Sequence, residues 1–88
     1  MKGKLSNGFE YAVDMSVLDN MELIEVIAEV DAGNVLKLPK LVELILGSEQ
    51  KARLYESVRD KSGRVPTAKV TEAVKEIFEA LGAVGKKS

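Results

Sequence analysis

Apolar residues crowd into residues 35–47 of the chain, where Leu38, Leu41, Val42, Leu44, Ile45 and Leu46 leave Lys40 and Glu43 as the only wet strip. At about 100° per residue these six side chains cover most of a helix circumference. Pro39 suits a first helical turn and Gly47 a left-handed stop, so the pattern predicts a short helix over 38–46. Such a helix needs cover on two sides. The cover is either the centre of the chain's own domain or a second chain.

Around this segment the pattern predicts a hairpin and three further helices. Asn7-Gly8 is the dipeptide favoured in type I′ turns, and Phe9, Tyr11 and Val13 alternate with Glu10, Ala12 and Asp14 to give the second strand one apolar face. Lys4-Leu5-Ser6 reads as a short first strand, and a two-stranded hairpin that small must lie against helices to persist. The next helix is capped by Asp14 or Asp19, runs to about Asp31 and stops at Ala32-Gly33-Asn34. Leu23, Ile24, Val26, Ile27 and Val30 are expected on its inner face. Glu22, Glu25 and Glu29 form an outer stripe that a basic partner or a metal could meet, but carboxylates in a row along one helix do not converge as metal ligands must. The stripe reads as a solvated face.

After Gly47 a further helix is expected, capped by Ser48, with Glu49 in its first turn, Leu54, Tyr55 and Val58 as its apolar stripe, and an end at Ser62-Gly63. Val65 before Pro66 reads as an extended link. The last helix opens at Pro66 or Thr67. Val70, Val74, Ile77 and Leu81 follow the helical period, with Ala73 and Phe78 on the shoulders and Gly82 as the stop. The expected fold is mainly α (α+β): an N-terminal β-hairpin packed on a four-helix domain over residues 1–82, with residues 83–88 as a flexible tail. The expected core is Phe9, Val13, Leu23, Ile27, Leu41, Ile45, Leu54, Val58, Val74, Ile77 and Leu81.

Composition narrows the function classes. The 88 residues hold 13 basic and 14 acidic side chains, no Cys and no His, for a net charge of −1. Long-range attraction to nucleic acid or to an anionic membrane is therefore not expected. No stretch approaches the roughly 20 apolar residues of a membrane span, and Met1-Lys2-Gly3-Lys4 is not followed by the apolar run of a signal peptide. Lys51, Arg53, Arg59, Lys61 and Arg64 near a tight helix junction suggest a DNA-reading helix, but Glu49, Glu56 and Asp60 among them would cancel much of the phosphate attraction. The serines have no neighbouring base or nucleophile elbow, the glycines make no phosphate loop, and Glu76 and Glu79 lie on an outer helix face. No catalytic, cofactor-binding or metal residue is assigned. If the central helix is covered by a second chain on one side, Leu36, Leu38, Val42 and Leu46 are the expected outward-facing protein-binding patch.

The order of elements carries a resemblance. Ser6-Asn7-Gly8-Phe9-Glu10-Tyr11-Ala12-Val13-Asp14, then Met21-Glu22-Leu23 in an acidic helix, then Leu38-Pro39-Lys40-Leu41-Val42-Glu43-Leu44-Ile45-Leu46-Gly47, resembles the small tail assembly chaperones of long-tailed phages and prophages of Gram-positive bacteria. It continues through Glu49-Gln50-Lys51-Ala52-Arg53-Leu54-Tyr55-Glu56, Asp60-Lys61-Ser62-Gly63-Arg64-Val65-Pro66 and Glu76-Ile77-Phe78, covering about residues 5–81. These motifs are structural and name no site. The resemblance implies a non-enzymatic assembly factor that self-associates, coats the tape measure protein in the host bacterial cytoplasm and is absent from the mature virion. It also implies a longer product, made by ribosomal frameshifting, that engages the major tail protein. Gly85-Lys86-Lys87 requires a GGN codon and two AAR codons, a run that can hold a slippery heptanucleotide. A small helix-turn-helix DNA-binding regulator and a structural tail or connector component are the competing expectations.

Overall fold

The computed structural model describes residues 1–85, with side-chain environments for 1–82. Strands β1 (Lys2–Lys4) and β2 (Glu10–Ala12) form an antiparallel hairpin in which Gly3 faces Tyr11. A 3₁₀ turn (Met15–Leu18) leads to α1 (Met21–Asp31), and a second 3₁₀ turn (Val35–Lys37) leads to α2 (Leu38–Val58) and α3 (Thr67–Gly85). Mainly helical structure with an N-terminal hairpin is as expected.

Among the described residues there are three α-helices rather than four, because the segments on either side of Gly47 join without an intervening loop. Gly47 has φ 81° and ψ 164°, outside the helical region, so α2 is one helix broken where a left-handed stop was expected. Gln50 donates from Nε2 to the Leu46 carbonyl at 2.8 Å, satisfying an acceptor that the break would orphan. Lys51 reaches across the break to Glu43 at 3.4 Å.

The hairpin turn also differs from expectation. Among the described residues only glycines have positive φ, whereas a type I′ turn needs positive φ at both central positions. Gly8 alone adopts it, at 94°, in a three-residue loop closed by the Gly8 amide donating to the Leu5 carbonyl and the Leu5 amide donating to Phe9. Alternation along β2 holds: Tyr11 and Val13 are buried with Leu5, and Phe9 is half-buried.

One contact locks the two strands together, and two sets of hydrogen bonds join the hairpin to the helices. Tyr11 lies over Gly3, in the space a Cβ would need. The Glu76 carboxylate accepts from the Ser6 amide at 2.9 Å and from Ser6 Oγ at 2.8 Å. The Gln50 side-chain amide pairs with the backbone of Ala12, accepting from its N–H at 2.7 Å and donating to its carbonyl at 2.8 Å. Gln50 thus supplies the partner that a third strand would otherwise give to β2 at this position. Burial, and then the Glu76 charge, raise the Tyr11 phenol above its ordinary pKa.

The ends of the elements follow local hydrogen bonding. α1 is capped by Asn20, whose Oδ1 accepts from the Glu22 amide at 3.0 Å; Asp14 instead caps the 3₁₀ turn through the Ser16 amide. α2 ends at Val58 rather than at Ser62-Gly63, because the Asp60 carboxylate accepts from the amides of Ser62 and Arg64 and so stabilises a turn against further helix. α3 continues past Gly82 to Gly85. Residues 86–88 of the expected tail lie outside the described residues.

α2 lies at the centre of the domain and packs against α1, α3, β2 and both 3₁₀ turns. Of the expected core, Val13, Leu23, Leu41, Ile45, Leu54, Val74, Ile77 and Leu81 are buried, while Phe9, Ile27 and Val58 are half-buried at its margin. Leu5, Tyr11, Val26, Leu38, Val42, Leu46, Val70 and Ala73 complete it.

Candidate protein-docking surface

The four residues expected to form an outward patch separate in space. Leu36, on the second 3₁₀ turn, is 86% exposed. Leu38, Val42 and Leu46 are 5%, 1% and 6% exposed, so they belong to the domain's own core and the expected outward patch is corrected to Leu36 alone. The physical reason is that the elements packed on α2 bury Leu38, Leu41, Val42, Ile45 and Leu46, leaving Leu44 half-buried and only Pro39, Lys40 and Glu43 of residues 38–46 exposed.

A groove of about 430 Å³ lies where α1, the start of α2 and α3 meet. Its floor is formed by Ile27 and Val30 of α1, Leu38 and Leu41 of α2, and Val74 and Phe78 of α3. Asp31, Lys75 and Glu79 stand around it as a charged rim, with Thr71. Each helix contributes through its own period: Ile27 and Val30 are three apart, as are Leu38 and Leu41, while Val74 and Phe78 are four apart. Ile27, Val30 and Phe78 stay half-buried because no described residue fills the groove above them. Hollows beside the hairpin differ in lining. The larger, about 560 Å³, mixes Lys2, Asp14, Glu43 and Gln50 with its apolar walls, which suits a helix stripe less well.

Ile24 was expected on the inner face of α1 but is 52% exposed. At about 100° per residue it lies a quarter-turn or more from the centre of the Leu23, Val26, Ile27 and Val30 face, which strict helical arithmetic makes legible. It stands one turn from Ile27 and one turn from Met21, itself 66% exposed, so apolar surface continues from the groove along α1. Glu22, Glu25 and Glu29 lie beyond this stripe on the exposed face, where Glu29 meets Lys37 at 3.8 Å.

Asp14 and Asp60 are held below the usual carboxylate range. For Asp14 the cause is hydrogen bonds from Ser16; for Asp60 it is the Ser62 hydroxyl and then the Arg64 amide. Both carboxylates serve turns. Among the described residues no cluster of three or more Asp, Glu, His or Cys has metal-site geometry, and no helix is long and apolar enough to cross a membrane. Comparison with protein families, with curated proteins and with solved structures finds no match to this chain.

Proposed function

We propose that this chain is a non-enzymatic tail assembly chaperone of a long-tailed phage or prophage, which self-associates and binds the tape measure protein in the host bacterial cytoplasm. The observation that carries the reading, beside the family resemblance of residues 5–81, is the apolar groove between α1, α2 and α3 with its rim of Asp31, Lys75 and Glu79. A long helical protein that must stay soluble before its tube assembles presents repeated apolar stripes to water. A groove lined by Ile27, Val30, Leu38, Leu41, Val74 and Phe78 suits one such stripe, and its charged rim suits the polar flanks. Self-association would multiply weak contacts along one partner without strengthening any of them. The work requires neither cofactor, nucleic acid nor membrane. A frameshifted longer product would connect the same domain to the major tail protein.

Co-expression with the tape measure protein from the neighbouring tail genes tests this. The expected result is a soluble complex, lost when Phe78→Ala removes part of the groove wall while the helical circular dichroism persists. A tape measure protein that stays insoluble beside abundant chaperone overturns the reading. Steeply salt-dependent binding of duplex DNA would favour a regulator instead, and recovery of the chain in mature particles a structural component. Mass spectrometry of the products of the native gene should reveal a minor longer species sharing the sequence to about Lys87. A gene without a slippery run and an open overlapping frame would remove the frameshift and leave the chaperone reading in place.

A further inference from the structure

We infer that the segment docking on this surface is an amphipathic helix whose apolar stripe is flanked by Lys or Arg, and that it lies along the Met21–Ile24 side of α1 beside the groove. The inference rests on reading the groove as a docking site for a helical protein, and it adds the partner's charge and the line along which it lies.

Two independent observations coincide on this part of the chain. Among the described residues, the exposed large apolar side chains are Met15, Met21, Ile24, Val35 and Leu36, all within one stretch of sequence from the first 3₁₀ turn to the second. That same stretch lies in the only long interval without a cation: between Lys4 and Lys37 the sequence contains acidic residues but no Lys or Arg. Elsewhere acids and bases alternate closely, and the chain as a whole is near neutrality at −1. Within α1, the exposed apolar side chains Met21 and Ile24 are therefore flanked by acidic residues alone, while Lys75 stands on the groove's far rim and Lys37 faces Glu29.

The geometry of α1 orders these features. With about 100° per residue, Met21, Ile24 and Ala28 share one strip of the exposed face. On one side the strip passes into the groove through Ile27 and Asp31; on the other it is bordered by Glu22 and Glu25, while Glu29 already faces Lys37. A helix laid along this strip would bury its apolar residues against Ile24 and Met21 and bring its flank to Glu22 and Glu25. An acidic flank would be repelled there, as would an anionic membrane. A second copy laid symmetrically on the strip would bring two acidic α1 helices together. A Lys- or Arg-bearing flank meets complementary charge, which favours encounter and fixes which side of the helix faces which wall.

The test uses the full chain and two synthetic amphipathic helical peptides with the same leucine stripe, one flanked by Lys and the other by Glu, each titrated by fluorescence anisotropy. The Lys-flanked peptide should bind, the Glu-flanked peptide at least about tenfold more weakly, and added salt should narrow the difference. Ile24→Ser should weaken the Lys-flanked peptide by about tenfold or more, at a half-exposed position where the fold survives. The double variant Glu22→Gln and Glu25→Gln should weaken it by about threefold to tenfold and reduce the salt dependence. Equal binding of both peptides, or of neither, overturns the inference. So does an Ile24-dependent dimer in sedimentation that binds no peptide, since the occupant is then a second copy. If the tape measure protein co-purifies but the Gln variant binds it as tightly as the parent, the charge inference falls and the proposed function stands. Preference for the Lys-flanked peptide with no tape measure complex gives the reverse.

Discussion

Gly3 and Gly47 are required for different physical reasons. A Cβ at Gly3 would run into the Tyr11 ring, which is buried and raised in pKa by that burial and by Glu76. Gly3→Ala should therefore destabilise by about 1–3 kcal/mol through overpacking, measured as a lower urea midpoint with an unchanged slope. At Gly47 there is open space where a Cβ would stand, but φ 81° with ψ 164° is nearly confined to glycine. Gly47→Ala should cost about 1–3 kcal/mol as backbone strain alone. The acidic turn residues respond to pH. Because hydrogen bonds lower the folded pKa of Asp14 and Asp60, their contribution is present above the unfolded value and is lost as pH falls through the folded one. Carboxyl carbon shifts followed by NMR should give both residues midpoints below 3.8, and a midpoint at or above it for either would contradict the turn hydrogen bonds.

At the scale of elements, the interrupted α2 organises the domain. It packs against α1, α3 and β2, and Gln50 and Lys51 hold its two arms together across the break. Ile45→Ala or Ile77→Ala, at 3% and 1% exposure, should each cost about 2–5 kcal/mol, a large share of the stability of so small a domain. Val42→Asp would place a carboxylate at a 1% exposed site, so thermal melts should record a loss of the folded state rather than a selective loss of association. This reverses what the apolar pattern of residues 38–46 suggested for Val42, and the reason is general. A helix apolar on nearly all sides announces that it will be covered, but its own sequence does not say by what. The hairpin face, the break at Gly47 and the inner face of α3 were legible because alternation, a glycine and a 3.6-residue period are local signals. The turn type at Asn7-Gly8, the choice of Asn20 over Asp19 as cap and the end of α2 at Val58 depend on competing hydrogen bonds that residue spacing ranks poorly. Ile24 is apolar like its neighbours, but its helical angle points it more than a quarter-turn away from the inner face of α1, which is why it is exposed.

For the whole molecule, one groove, one exposed apolar strip and one acidic border make up the proposed surface for a helical partner. Of the groove residues only Leu38 is marked by the sequence as a protein-binding candidate; Ile27, Val30, Leu41, Val74 and Phe78 come from three helices, and each reads locally as part of an inner apolar face. Only the tertiary arrangement leaves them under an unfilled space. The measurement that tests the proposal most directly is amide hydrogen exchange of the chain alone and with the proposed partner, the tape measure protein encoded beside it. Binding should slow exchange in α1 and in the Thr71-to-Glu79 part of α3, with the hairpin and the second arm of α2 unchanged. Slowing confined to the hairpin and the second arm of α2, or no slowing at saturating tape measure protein, would contradict it.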